Sequence, residues 1–82
     1  MSAPARFNQA QVDHILAANW ARPRDPVSDA YKAGCKAIVE LRLLGQPFKF
    51  PYLLGTAEAD AWHAGTLEGH RLAREALSAE AA

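Results

Sequence analysis

The sequence predicts an all-α fold. It is read as a small three-helix domain, with an N-terminal helix over about 8–21 packed on a helical hairpin, about 26–44 and 57–77, joined by a proline- and aromatic-rich linker. Three observations predict this. Apolar residues recur three and four apart in three separate segments, the period of a helix face. Each segment opens near a side chain able to cap a helix. Prolines cluster between the segments, at Pro23 and Pro26 and again at Pro47 and Pro51, where a helix cannot continue.

The first segment begins at Asn8, a good N-cap, with Gln11 three residues on as in a capping box. Phe7 and Val12 fall at the two positions of a hydrophobic staple. Val12, Ile15, Leu16 and Trp20 form one stripe, and ArgProArgAspPro ends the helix near Ala21. The second segment is expected to start at Asp25 or Val27, because Asp25 can cap and Pro26 suits the first helical position; Ser28 is the competing cap. It runs to about Leu44, where Gly45 reads as the C-terminal stop. Val27, Tyr31, Gly34, Ile38 and Leu41 are placed on one face, flanked by Cys35 and Leu44, with Lys32, Lys36, Glu40 and Arg42 outward.

Gln46–Gly55 reads as an ordered linker, since prolines at 47 and 51 argue against a sheet interior. Phe48, Phe50 and Tyr52 are expected to close the end of the hairpin around Pro51. Thr56 caps the third helix, with Glu58 and Asp60 in the first turn where the helix dipole favours acids. That helix is expected to reach about Leu77 and fray beyond it. Trp62, Gly65, Gly69, Leu72 and Ala76 line one face. A glycine inside a helix costs about 1 kcal/mol relative to alanine. Gly34, Gly65 and Gly69 on predicted inner faces therefore indicate close approach of two backbones, with Tyr31 and Trp62 lying across the crossing.

The 82 residues suffice for one domain, 1–82, with 1–6 and 78–82 expected to be flexible. So small a domain buries only roughly 60–65% of its unfolded surface, which leaves room for a partner or a homodimer. Cys35 is the single cysteine, so no internal disulfide forms, and a reducing, cytoplasmic location is expected. The opening residues lack the apolar stretch of a signal peptide, and no run approaches the roughly 18 apolar residues of a membrane span. Nine basic and nine acidic residues cancel; the first 49 residues hold seven of the basic ones and four of the acidic.

Candidate chemistry is sparse: no catalytic residue, metal ligand or cofactor site is expected, and the chain is expected not to be an enzyme. His63 and His70 are seven residues apart, roughly 10.5 Å along a helix, too far to share one ion, and read as surface or capping residues. Cys35 reads as a small buried hydrophobe. The glycines form no phosphate loop. Partner-binding candidates are Arg22, Arg24, Lys32, Lys36, Arg42, Phe48, Lys49 and Tyr52. The basic ones form either a nucleic-acid surface with Tyr31 or Tyr52 for stacking or an ordinary solvated face. The aromatics, with Leu53 and Leu54, form a docking patch, a core-closing linker, or both. Tyr31, Gly34, Pro51, Trp62, Gly65 and Gly69 are assigned structural roles.

TyrLysAlaGly at 31–34, ProTyr at 51–52 and AlaTrpHisAlaGlyThrLeuGluGly at 61–69 resemble the ribosome modulation factor family and its CrpP-like phage and plasmid relatives. The resemblance covers about residues 29–74. Phe50 stands where the family usually has cysteine, and this chain is neutral where ribosome modulation factor is strongly basic. The resemblance implies a helical hairpin, ribosome or RNA binding, or ATP-dependent drug modification of the CrpP type, and origin on a mobile element. Together these readings favour a non-enzymatic helical protein that binds and modulates a larger cytoplasmic complex, with a protein partner ahead of RNA.

Overall fold

Asn8 opens the first helix in the way its sequence requires. In the computed structural model, which describes residues 6–81, the Asn8 side chain accepts from the Gln11 amide at 2.9 Å and the Gln11 side chain accepts from the Asn8 amide at 2.8 Å. This reciprocal box starts α1 (Gln9–Ala21), and Arg22 leaves it in extended conformation ahead of Pro23. Ser28, the competing cap, starts α2 (Asp29–Leu44) by accepting from the Tyr31 amide at 3.2 Å. The expected start at Asp25 or Val27 is corrected: Pro26 and Val27 lie in the connection. Gly45 ends α2 at φ 71°, a left-handed position that glycine takes without a Cβ penalty. Thr56 Oγ1 accepts from the Ala59 amide at 3.1 Å and opens α3 (Ala57–Ala81), which continues one turn past the expected end at Leu77.

The predicted three helices are present, with α1 packed on α2 and α3. The order of contacts gives their directions. Gly34 faces Trp62, Gly65 faces Tyr31 and Cys35, and Gly69 faces Cys35 and Ile38; farther along, Leu43 joins Leu72 and Ala73. Both helices advance together, so α2 and α3 run side by side in the same direction. Gln9 bonds Glu40 at 2.9 Å while Trp20 packs on Tyr31 with ring centroids 6.4 Å apart, so α1 runs against α2. The antiparallel pair is thus α1–α2, whereas a hairpin was expected of α2 and α3. The linker Gln46–Gly55 carries the chain back along α2. A helix of 16 residues is about 24 Å long, and ten extended residues span up to roughly 33 Å. Phe48 and Phe50 meet the Trp62 ring at 5.2 and 5.1 Å on this return, and Phe50 stacks on His63 at 5.0 Å.

Glycine makes the parallel pair possible. A Cβ on Gly34 would overlap the Trp62 carbonyl oxygen, one on Gly65 the Tyr31 carbonyl oxygen, and one on Gly69 would come within 2.6 Å of the Cys35 carbonyl oxygen. The nearest obstacle at each glycine is backbone, which cannot swing aside. The core beside this crossing comprises Val12, Leu16, Cys35, Val39, Leu43, Leu72 and Ala73. The face predicted for α3 is the buried one. The face predicted for α2 is rotated: Cys35 and Val39 are its most buried residues, while Leu41 is exposed and Val27 and Tyr31 only half-buried. The reason is that α2 packs on α1 and α3 at once, so its buried centre lies between them.

Substituting Gly65 separates two opposed effects. Alanine adds about 1 kcal/mol of helix propensity, and overpacking costs about 1–3 kcal/mol, occasionally more. With a carbonyl as the obstacle, overpacking wins. Gly65→Ala is expected to lower the melting temperature, by about 4–8 °C for each kcal/mol lost. Ala64→Gly, on the neighbouring exposed position, is expected to lose only the propensity term. A calorimetric scan in which Gly65→Ala melts above the parent would show that the crossing is loose.

Candidate functional site

One carboxylate on α3 gathers side chains from α1, α2 and the connection between them. Glu68 lies on the edge of the inner face of α3, between Gly65 and Gly69, where missing side chains let groups from α2 and α1 come near. Arg24, in the α1–α2 connection, donates from Nη1 to Oε2 at 2.7 Å and from Nη2 to Oε1 at 2.8 Å. The Tyr31 hydroxyl of α2 donates to Oε1 at 2.8 Å. Asn19 of α1 donates through Nδ2 to Oε2. A carboxylate has about four lone-pair positions, and all are taken. Asn19 is itself completed by Arg22, whose Nη2 donates to Oδ1 at 2.6 Å.

Charge and aromatic contacts extend the cluster. The Arg24 guanidinium lies 5.1 Å from the Trp20 ring centre and Lys32 Nζ lies 5.7 Å from it, both within cation–π range. An open recess of about 450 Å³ beside them is lined by Arg22, Pro23, Arg24, Asp25, Val27 and Glu68. Hydrogen bonding from Arg24, then from Asn19 and Tyr31, holds the Glu68 carboxyl down at about 2 against an ordinary 4.5, and burial opposes this only in part. Burial, and then the bond to Glu68, raise the Tyr31 hydroxyl. The same bond raises the Arg24 guanidinium. Burial, with the Glu68 charge adding to it, pushes the Cys35 thiol up to about 12, so the folded chain keeps it protonated and unreactive.

Of the basic candidates, Arg22, Arg24 and Lys32 come together at this end. Lys36 is exposed on α2, Lys49 is exposed on the linker, and Arg42 bonds the His70 carbonyl at 3.1 Å near the other end of α2. Phe48 is half covered by Trp62, and Tyr52 is half-buried beside Ala30, Ala57 and Ala61. Pro51 is exposed between them. Among the described residues, no group of three or more His, Cys, Asp and Glu is placed to hold a metal ion, and no helix is long and apolar enough to cross a membrane.

Neither Asn19 nor Glu68 was assigned a binding or structural role from the sequence. Asn19 continues the Val12–Leu16 stripe, so a polar side chain was due to be buried there, and burial demands partners. Its signal was legible. That of Glu68 was weaker, because its donors come from positions 19, 24 and 31, which no local pattern links to it.

No family model matches the chain, and no curated protein or solved structure is significantly similar to it.

The Glu68 cluster makes stability depend on acid. A carboxylate lowered from 4.5 to about 2 contributes about 3 kcal/mol at neutral pH, and the side chain is 10% exposed, so little is lost to solvent screening. That contribution is fully present above about pH 4.5 and disappears as pH falls to about 2. Glu68→Gln is expected to lower stability at pH 7 by about 2–3 kcal/mol. Urea unfolding repeated from pH 7 to pH 2 should show the parent losing that advantage within this window. A constant difference between the two proteins across it would contradict the assignment.

Proposed function

We propose that this chain is a small interaction protein that docks on a larger protein complex and modulates it, with Leu53 and Leu54 as the point of contact. The exposure of that pair carries the reading. Leu53 is 81% and Leu54 82% exposed, although full burial of a leucine is worth about 1.5–3 kcal/mol. The two are held in place. The Thr56 hydroxyl donates to the Leu53 carbonyl at 2.7 Å, Gly55 turns the chain at φ 84°, and the preceding aromatics Phe48 and Phe50 are anchored on Trp62. A preorganised apolar pair loses little entropy on binding. The arrangement suits capture in an apolar pocket of a protein partner.

Ribosome or RNA binding, which the family resemblance implies, is the second reading. What supports it is the gathering of Arg22, Arg24 and Lys32 around Trp20, cations beside a ring on which a base can stack. The glutamate on Arg24 offsets part of that charge.

Pull-down from a bacterial lysate with the parent chain and with Leu53→Ser/Leu54→Ser tests the first reading. Both residues are exposed, so the double variant is expected to keep its helical circular dichroism and to lose the protein recovered by the parent. Equal recovery by both, or recovery of no protein together with turnover of a small molecule, would contradict it. Ribosome co-sedimentation at low salt that is lost on Lys32→Glu and unaffected by the leucine changes would favour the second.

A further inference from the structure

The three helices share one core but are held by two kinds of contact. α2 and α3 meet backbone to backbone at Gly34, Gly65 and Gly69. α1 stands farther from both and joins them through side chains. Val12 and Leu16 enter the core. Gln9 reaches Glu40 at one end, and Asn19 and Arg24 reach Glu68 at the other. The connection from Arg22 to Ser28 is non-helical, contains Pro23 and Pro26, and is exposed apart from half-buried Val27.

We propose that α1 and this connection form a hinged arm, latched to α3 at Glu68, that opens as a unit while α2 and α3 stay packed. Opening trades the bonds of Asn19 and Arg24 to Glu68, and that of Gln9 to Glu40, for bonds to water, and leaves the Tyr31–Glu68 bond and the glycine crossing intact. Segments attached through side chains and exposed backbone open at lower free energy than the element pair carrying the densest contacts. The groups that face Glu68 are Asn19 from α1, Arg24 from the connection and Tyr31 from α2, so the latch ties three parts of the chain at one point. The movement uncovers the apolar face of Val39, Leu43, Leu72 and Ala73 that Val12 and Leu16 now cover. It also uncovers Cys35, which is fully buried when the arm is closed.

Cys35 is therefore a built-in reporter. Its reaction with 5,5′-dithiobis(2-nitrobenzoate) at pH 8 should be followed in the parent, Glu68→Gln and Arg24→Gln across a urea series that stops short of the unfolding transition. The parent is expected to label with a urea dependence clearly smaller than that of global unfolding, because opening exposes the face under α1 and leaves the α2–α3 crossing packed. Each variant is expected to label at least tenfold faster with the same shallow dependence, while its far-ultraviolet circular dichroism stays helical. A rate in the parent that rises with the full urea dependence of global unfolding would overturn the proposal, and so would variants that label no faster than the parent. The parent series stands by itself if a variant fails to fold.

Discussion

The close crossing of α2 and α3 is the constraint from which the rest follows. Two carbonyl oxygens, of Tyr31 and Trp62, occupy the space where side chains of Gly65 and Gly34 would stand. With the backbones this near, the two helices form one slab with few large side chains between them, which suits a chain whose apolar content includes much alanine. The large residues are displaced to the flanks. On one flank Trp62 meets Phe48 and Phe50; on the other Cys35, Val39, Leu43 and Leu72 meet α1.

The same crossing determines the course of the linker and the position of the polar cluster. Parallel neighbours need a connection as long as the helix it bypasses, and the extended backbone favoured next to Pro47 and Pro51 supplies it. The aromatics anchor that return on Trp62 and leave Leu53 and Leu54 in solvent. Beside the glycines, Glu68 lies close enough to α2 for Tyr31 to reach it and near enough to α1 for Asn19 and Arg24 to do so. A larger residue at position 65 would separate these elements, so the ion pair depends on the crossing.

A buried charge is costly unless its bonds are complete. Glu68 meets that condition with four donors, and no buried side-chain nitrogen or oxygen among the described residues lacks a partner. Arg24 serves three purposes here: it neutralises Glu68, covers Trp20 and lines the open recess. A basic residue read from sequence as free to bind a partner is thus also a structural one.

The sequence by itself determined what depends on neighbours within one or two turns. The capping box at Asn8, the left-handed stop at Gly45, the cap at Thr56, the extended linker and the inner face carrying Trp62, Gly65 and Gly69 are local features, and each was legible. The close backbone approach was legible too, because glycines repeated on one helix face have a cost that packing must offset. Only the tertiary structure decided what depends on distant residues. A linker of ten residues fits either direction of α3, so the parallel course followed from which faces met. The rotation of the α2 face came from its being packed on two sides. The Glu68 cluster joins a carboxylate on α3 to Asn19, Arg24 and Tyr31, 37 to 49 positions earlier in the sequence, and hydrogen bonds between such groups exist only once the helices have been brought together.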